Sequence, residues 1–406
     1  MISLRPLLLR LSITLLAAWI MGCNYKNPNS TTATPTSGIK KRVLLSNQQI
    51  GSVTIVDATL DTVSTTGFTV FGATHLATNG GTSAVISSTG TNVGLFDDVK
   101  EQAGVQPVFP NPPQDIAVSN DGKTLFAAVR NSGFVAFANV ADGTFSIVNV
   151  PSVSRLVLSP NGTKLLAFSD DPQNQAGANA NAFTVIDVAS KTATIIAGGA
   201  GDQPFSGVFN GSETKAFILN CGSGCGGTSP PSVRPVDFSG PAPILGTPIT
   251  AMMTGATVGL LNNSTLFVAG TDSTSKGVLQ VINTGSMTVT ATATIANGLH
   301  TRMKMGNNNR LYIGSLGCTT SPGPTPGTTT GCLSIVNTGS NAVIIPAFAS
   351  PRSAFDVTGI QPISNRNVVY VCEGGELDIF DTTTDALTAT QIDIVGKAFD
   401  VIQIDP

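Results

Sequence analysis

Residues Pro113–Pro151 read PQDIAVSNDGKTLFAAVRNSGFVAFANVADGTFSIVNVP, and this stretch decides the fold. It contains four short apolar segments, QDIAVS, TLFAAV, GFVAFAN and TFSIVNV, which are rich in β-branched and aromatic residues. Gly, Asn and Asp stand at every join between them. Segments of this length, separated by turn-forming residues, are typical of antiparallel β-strands. The stretch therefore predicts one four-stranded antiparallel sheet.

The same unit recurs along the chain. The next copy begins SRLVLSPNGTKLLAFSDD at Ser154 and continues as AFTVIDVASKTATII, with the turn PNG where the first copy has NDG. A repeat of roughly 40 to 50 residues with four strands is the span of one propeller blade. Pairs of second and third strands begin near eight positions, which are Val43, Ala84, Leu125, Leu165, Ala216, Leu266, Leu311 and Val368. We therefore predict an all-β propeller of eight four-stranded blades, with seven as the alternative if one weak copy is a long excursion.

The two ends of the repeat region predict how the ring closes. The first copy, which begins VLLSNQQIGSVTIVD at Val43, lacks a leading strand, whereas the last segment, AFDVIQID from Ala398 to Asp405, is a leading strand without a blade. A C-terminal strand that completes the first blade would remove two open sheet edges at once. We expect this strand to close the ring.

Segments such as VLLSNQQIGSVTIVDATLDTV and FTVIDVASKTATI resemble the YVTN-type repeat, which also occurs in lactonase-like propellers. The resemblance covers residues 40–406 and implies a propeller over that range. It does not imply one function, because the same fold carries many activities.

The N-terminus has the pattern of an export signal. Residues 1–22 carry Arg5 and Arg10 followed by the apolar run LSITLLAAWIM, which is shorter than the roughly 20 apolar residues of a membrane-spanning helix. The residues Ile20-Met21-Gly22-Cys23 resemble the bacterial lipobox, which implies cleavage before Cys23 and lipidation of its sulfur. The alternative is an ordinary signal with a chance cysteine.

A polar segment follows the proposed lipid site. Residues 23–39 are rich in Ser, Thr, Asn and Pro, which predicts a flexible tether between the lipid and the propeller. Asn24 is not the Asp that marks inner-membrane retention in enteric bacteria. We therefore expect a protein of the cell envelope, held by its lipid on the periplasmic side of the outer membrane.

The exported body contains two cysteine pairs and one further cysteine. Cys221 and Cys225 lie close together in sequence, as do Cys318 and Cys332. Each of the two pairs lies within a loop between the second and third strands of its blade. An oxidising compartment favours two local disulfides. A metal site is the alternative for the C-x₃-C pair, but no histidine lies near it in sequence. Cys372 lies in an apolar strand, where a lone thiol is usually a small hydrophobic residue.

Aligned leading strands predict the candidate binding site, because these strands line the central channel of a propeller. Just before the apolar core of each strand stand His75, Asp115, Arg155, Ser206, Thr257, Arg302, Asp356 and Asp400. Most are polar, and several are charged in a chain with only 11% charged residues. The ring of His75, Asp115, Arg155, Arg302, Asp356 and Asp400 is either a binding site for a small polar ligand or peptide, or a merely solvated channel entrance.

Charge and motifs narrow the function classes. The formal net charge is −3, and becomes −5 without Arg5 and Arg10, so the sequence has no basic footprint for nucleic acid. We find no catalytic motif, metal-ligand cluster or cofactor motif, and the only Trp lies within the signal. We therefore expect a monomeric, non-enzymatic binding or scaffold propeller whose partner is an envelope protein or a small ligand. A lactonase-like hydrolase that uses the mouth residues is the alternative, and an electron-transfer propeller is less favoured.

Overall fold

The computed structural model describes residues 37–169, 181–197, 199, 201–250, 252, 255–349, 354–390 and 392–405. The predicted signal, Cys23 and most of the predicted tether lie outside these residues. In the part of the chain that is described, two short 3₁₀ turns, Arg130–Ser132 and Gly222–Cys225, are the helical elements, and no helix is long and apolar enough to span a membrane. The fold is therefore almost entirely β, as the composition predicts.

The first four sheets are antiparallel and four-stranded, and we number them 1 to 4 in chain order. Sheet 1 contains β1 (Arg42–Asn47), β2 (Ser52–Asp57), β3 (Thr62–Thr69) and β34 (Ala398–Gln403). Sheet 2 contains β4 (Ala73–Asn79), β5 (Thr82–Ser87), β6 (Val93–Asp97) and β7 (Gln102–Ala103). Sheet 3 contains β8 (Asp115–Val118), β9 (Thr124–Val129), β10 (Phe134–Asn139) and β11 (Phe145–Asn149). Sheet 4 contains β12 (Val153–Leu158), β13 (Lys164–Ser169), β14 (Phe183–Asp187) and β15 (Thr192–Ile196).

The second half of the chain continues the series. Sheet 5 contains β16 (Pro204–Phe209), β17 (Lys215–Asn220), β18 (Ser232–Asp237) and β19 (Ile244–Leu245). Sheet 6 contains β20 (Gly255–Asn262), β21 (Thr265–Thr271), β22 (Gly277–Asn283) and β23 (Thr288–Ile295). Sheet 7 contains β24 (Leu299–Met305), β25 (Arg310–Leu316), β28 (Leu333–Asn337) and β29 (Val343–Ile344). Sheet 8 contains β31 (Val357–Pro362), β32 (Val368–Glu373) and β33 (Glu376–Asp381). A small accessory sheet contains β26 (Ser321–Pro322), β27 (Thr328–Thr330) and β30 (Ala347–Ala349).

The sheets follow one another around a closed ring, and the innermost strand of each contacts the innermost strand of the next. These inner strands, in order around the ring, are β34, β4, β8, β12, β16, β20, β24 and β31. The hydrophobic core lies between neighbouring sheets: Phe126 and Val135 of sheet 3, for example, pack with Leu156 and Leu165 of sheet 4. This arrangement is a β-propeller. The succession of sheets favours eight blades over seven, and the blade number itself stays a prediction.

The C-terminal strand closes the ring, which confirms the expectation drawn from the two ends of the repeat region. β34 pairs antiparallel with β1 and also contacts β4 and β31, the inner strands of the two neighbouring sheets. Arg42 on β1 strengthens the closure, because its guanidinium contacts Asp405 at 2.7 Å and Glu101 of the next sheet at 3.0 Å. Three chain regions that are far apart in sequence therefore meet at one partly buried ion-pair cluster.

A second cluster joins sheet 8 to sheet 1. Asp61, in the turn between β2 and β3, accepts hydrogen bonds from the guanidinium of Arg366 and from the phenol of Tyr370. Burial alone would raise the pKa of Asp61, but these two partners outweigh it and hold the pKa below its ordinary value. The cluster therefore keeps an ionised carboxylate at the seam of the ring.

This cluster supports a matched prediction with two tyrosines. Tyr370 and Tyr312 are both fully buried, but among the described residues the Tyr312 hydroxyl has no hydrogen-bond partner. We expect Tyr370→Phe to lower the free energy of unfolding by about 2 kcal/mol, since it removes a hydrogen bond to a charged group. Tyr312→Phe should not lower it, since no bond is lost and a buried hydroxyl without a partner is removed. Urea unfolding measures both, and equal losses would contradict the assignment.

Both predicted disulfides are present. Cys221 is bonded to Cys225 between β17 and β18, and Cys318 is bonded to Cys332 between β25 and β28. Cys372 is a free, buried thiol on β32. The second disulfide closes the base of the excursion that carries β26 and β27, so it holds that insertion against sheet 7.

Candidate functional site

The central channel opens into a cavity of about 520 Å³ at one mouth of the ring. Each inner strand pairs antiparallel with the next strand of its sheet, so its first residues lie beside the last residues of that strand. In seven of the eight inner strands a β-bulge or similar irregularity shifts the register near this point. Such an irregularity re-aims the side chains that follow it. The equivalent position in successive sheets is occupied by His75, Asp115, Arg155, Ser206, Val258, Arg302, Gly359 and Asp400. We call these eight residues the mouth ring.

Five of the six predicted mouth residues line this cavity, which are His75, Asp115, Arg155, Arg302 and Asp400. Asp356 does not line it, and its carboxylate instead accepts the backbone N–H of Gly317. AFDV occurs both at Ala354 and at Ala398, and this similarity aligns Asp356 with Asp400. In the structure Val357 pairs with Glu373, so Gly359 occupies the ring position. The prediction for Asp356 was wrong by three residues because pairing with β32 sets the register of β31.

The two carboxylates of the mouth ring have the same structural role. Asp115 accepts the backbone N–H of Ile116 at 2.9 Å with one oxygen and that of Leu156, on the next sheet, at 2.8 Å with the other. Asp400 accepts the N–H of Val401 at 2.9 Å and that of Leu76, again on the next sheet, at 3.0 Å. Each carboxylate therefore joins two neighbouring inner strands at the channel wall.

The surroundings of these carboxylates differ in charge. Burial raises the pKa of Asp115, and its hydrogen bonds only partly offset this. Burial acts on Asp400 in the same direction, but the Arg302 guanidinium and His75, both 3.7 Å from its Oδ2, hold its pKa below the ordinary value. Asp400 thus stays ionised beside Arg302, whereas His75 and Arg302 also lower the pKa of Asp115 but do not offset the effect of its burial.

Arg302 spans the gap that Gly359 leaves in the ring. Its Nε donates to the carbonyl of Thr358 at 2.8 Å, and its Nη2 contacts Nδ1 of His75 at 2.5 Å. A Cβ at position 359 would lie 2.9 Å from the Cα of Asp400. Glycine there therefore permits the close approach of β31 and β34.

Aromatic side chains flank the cations. The guanidinium carbon of Arg155 lies 3.6 Å from the centre of the Phe205 ring, and His75 contacts the edge of Phe399 with ring centres 5.3 Å apart. Both phenylalanines line the cavity. A cation over an aromatic face gains about 0.5 to 2 kcal/mol, and the contact also fixes the direction of the guanidinium.

A second layer of side chains lies deeper in the channel. Lys304 and Gln361 are two residues beyond Arg302 and Gly359, so strand alternation places them on the same channel face. The Lys304 side chain faces the channel, and partial burial of its ammonium group between the channel walls lowers its pKa. Val157 and Ile402 line the same layer. The channel is therefore lined mostly by charged side chains at its mouth, and by both polar and apolar side chains in the second layer.

Sequence reasoning missed Lys304, Gln361, Phe205 and Phe399. The period-two alternation of a strand was a usable signal for Lys304 and Gln361, because both stand two residues after a ring position. The phenylalanines each precede a ring residue, where alternation alone places them on the other face. The other histidine, His300, is 1% exposed, and burial lowers its pKa to about 4, so it contributes no charge.

Comparisons with known proteins place the fold and no more. No family model matches the chain, and no curated protein matches it. Among solved structures, the chain is similar to a dihydro-heme d1 dehydrogenase, NirN, in complex with DHE. The match covers 90% of this chain and 75% of the NirN chain, at 11% sequence identity and a TM-score of 0.65. The match to AztD from Citrobacter koseri covers 90% of this chain and 98% of the AztD chain, at 11% sequence identity and a TM-score of 0.62. The match to a protein of unknown function from Desulfotomaculum acetoxidans covers 90% of this chain and 99% of the other chain, at 12% sequence identity and a TM-score of 0.56. The chain is a β-propeller, and identities this low show only the fold.

Proposed function

We propose that the protein is a lipoprotein of the bacterial cell envelope whose propeller binds a small polar ligand at one mouth of its central channel. The observation that carries the proposal is the cavity of about 520 Å³ lined by five charged or titratable ring residues. Cavities of 300 to 1,000 Å³ with a few convergent polar groups are the usual form of small-molecule sites. One neighbour with this fold was solved in complex with DHE, which supports ligand binding by proteins that contain such a propeller.

Binding is a better supported function than the lactonase-like hydrolysis that the sequence left open. Both ring carboxylates accept two backbone N–H groups each, which fixes their orientation and occupies their oxygens. His75 contacts Arg302 and Asp400, an arrangement that positions a cation in the wall. The second candidate function is a scaffold that binds an envelope protein. In that case the mouth ring would be the contact surface for the partner.

The proposed envelope location rests on the sequence alone. The pattern of residues 1–23 resembles an export signal with a lipid site, and we propose that the polar segment after it links the lipid to the propeller. Labelling with palmitate, compared between the wild-type chain and Cys23→Ala, tests the anchor.

Filling the channel mouth tests ligand binding. We expect the propeller purified from its native envelope to carry a small molecule that native mass spectrometry detects as a non-covalent adduct. Ser206→Trp places a large side chain in the cavity and should remove the adduct. Thr292→Trp, on the exposed edge strand β23, is the matched control and should retain it. An adduct that survives Ser206→Trp, or an adduct found in no preparation, would overturn the proposal.

A further inference from the structure

The described chain enters the propeller at a corner between sheets 1 and 2. The backbone N–H and the hydroxyl of Ser37 donate to the carboxylate of Glu101, in the turn between β6 and β7. The carbonyl of Lys41 accepts the backbone N–H of Ala58, in the turn between β2 and β3, at 2.9 Å. The entering segment therefore lies between these two turns. We call residues 37–41, 58–61 and 98–101 the entry corner.

The turns of the entry corner differ from their counterparts in the other sheets. The turn after the third strand of each sheet has two exposed residues at its tip. In sheets 1 and 2 these are Thr59-Leu60 and Val99-Lys100, and Leu60 and Val99 are 68% and 70% exposed. The tips of the other six sheets are small or polar, namely Ala141-Asp142, Ala189-Ser190, Ser239-Gly240, Gly285-Ser286, Gly339-Ser340 and Thr383-Thr384. The turn itself therefore needs no large apolar residue, and such residues stand at the tips beside the point where the chain enters.

Three ion pairs neutralise charged groups at the entry corner. Lys100 pairs with Asp97 at 2.7 Å, Glu101 with Arg42 at 3.0 Å and Asp61 with Arg366 at 2.5 Å. The chain as a whole has a formal net charge of −3, so it is not attracted to anionic headgroups. What the corner offers a partner is apolar surface.

The residues before Ser37 identify what lies near this surface. Residues 24–36 join the propeller to the proposed lipid on Cys23. A chain of these 13 residues spans at most about 45 Å, and a flexible chain of that length averages about 20 Å from end to end. The corner therefore stays within reach of the bilayer that holds the lipid, and exposed apolar side chains gain free energy when they leave water.

We propose that the entry corner contacts the lipid bilayer, with Leu60 and Val99 inserted at the level of the headgroups. This inference rests on the lipid anchor of the proposed function and adds the orientation of the propeller. The corner lies at the start of β1, whereas the inner strand β34 begins opposite Asn47, at the end of β1. Because the channel mouth lies where the inner strands begin, it faces away from the membrane.

Tryptophan fluorescence tests the contact, because Trp19 lies in the signal and the chain from Cys23 onward contains no other tryptophan. The purified chain from Cys23 is coupled to a maleimide-bearing lipid in phosphatidylcholine vesicles. The reagent reacts at Cys23, since Cys372 is buried and the other four cysteines form disulfides. Bromine-labelled acyl chains should quench the Leu60→Trp variant at least about twofold, because interfacial side chains lie roughly 5 to 10 Å into the headgroup and acyl boundary.

The matched control for this experiment is Phe71→Trp. Phe71 is 81% exposed and lies beside Gly51, at the mouth end of sheet 1. The same lipids should not quench this variant, because the proposed orientation holds it away from the bilayer.

Reversible binding measures how much the two apolar side chains contribute. A single myristoyl-length chain on Cys23 gives only marginal membrane binding, so any further apolar contact changes the partition coefficient. Leu60→Ser combined with Val99→Ser should lower partitioning into phosphatidylcholine vesicles at least about tenfold. Phe71→Ser combined with Val395→Ser removes two apolar side chains that are each 81% exposed on the mouth side, and should leave partitioning unchanged.

The failure of the contact and the failure of the anchor give different results. If Leu60→Trp is quenched no more than Phe71→Trp, or if the Leu60 and Val99 serine variant partitions like the wild type, the contact is wrong whatever Cys23 carries in the cell. If palmitate labelling finds no lipid on Cys23, the anchor of the proposed function is wrong, and the proposed orientation is wrong with it.

Discussion

Removal of residues 398–406 is expected to abolish the cooperative thermal unfolding of the propeller. The deletion removes β34, which is the inner strand of sheet 1 and contacts both neighbouring inner strands. It exposes the edge of β1, and it breaks the contacts of Arg42 with Asp405. The buried side chains lost include Ala398 and Val401, and Val alone contributes about 1.5 to 3 kcal/mol by burial. Together with the hydrogen-bond ladder, these losses are comparable to the roughly 5 to 15 kcal/mol by which most domains are stable.

The rescue experiment distinguishes loss of closure from a general truncation effect. A synthetic peptide of residues 398–406, added in excess to the deleted chain, should restore a melting transition observed by circular dichroism. A peptide of the same composition in scrambled order should not restore it, because β34 must present Asp400 opposite Ser46 and Ala398 opposite Asn47. A deleted chain that melts like the wild type would show that the ring does not depend on this strand.

The repeated strands could be predicted from the sequence because each one is local. Apolar segments and turn residues alternate within a single unit, and the turn at Asn120-Asp121-Gly122 has its glycine at φ +69°, where a residue without a side chain is favoured. The closure could be predicted too, since an orphan strand at one end and a missing strand at the other complement each other.

The register of the channel could be predicted only in part. Five of the six predicted charged or titratable residues lie in the ring, because a polar residue directly before an apolar core is a visible local signal. Asp356 was misplaced because the resemblance of AFDV at Ala354 to AFDV at Ala398 conflicts with the pairing of Val357 with Glu373. Strand register depends on a partner elsewhere in the sheet, so a short match in sequence does not determine it.

The roles of the ring residues needed the structure. The sequence suggested one class of polar ring residue, but Asp115 and Asp400 join neighbouring strands, Arg302 bridges the gap at Gly359, and Arg155 stacks on Phe205. These differences arise from which residues stand on the next sheet, and a single repeat does not contain that information. Lys304 differs from Arg302 because no described residue forms an ion pair with it, whereas Thr358 and Asp400 hold Arg302.

Asp400→Asn and Asp115→Asn are expected to change stability with opposite dependence on pH. Both substitutions replace one oxygen that accepts a backbone N–H from the next sheet, so the loss of hydrogen bonding is matched. At pH 7, Asp400→Asn should lower the free energy of unfolding by about 3 kcal/mol, because it also leaves the Arg302 guanidinium without its carboxylate. Asp115→Asn should cost less at that pH, since ionised Asp115 is itself disfavoured by burial.

The direction of each pKa shift fixes the sign of the pH dependence. The pKa of Asp400 is lower in the folded state, so its stabilisation is present above the unfolded pKa of about 4 and is lost as the pH falls through the folded pKa. The cost of Asp400→Asn should therefore shrink in acid. The pKa of Asp115 is higher in the folded state, so its contribution is present below about pH 4 and is lost as the pH rises through the folded pKa. The cost of Asp115→Asn should therefore shrink towards neutral pH.

Urea unfolding of the two variants and the wild type between pH 3 and pH 7 measures both trends, and subtraction of the wild-type curve removes the titration of other groups. Two curves that cross are expected, because the carboxylates share a geometry while His75 and Arg302 outweigh burial only at Asp400. Parallel curves would mean that hydrogen bonds to the next sheet, and not the charge of the carboxylates, determine their contribution to the free energy of unfolding. In that case Arg302 would owe its position to Thr358 and His75.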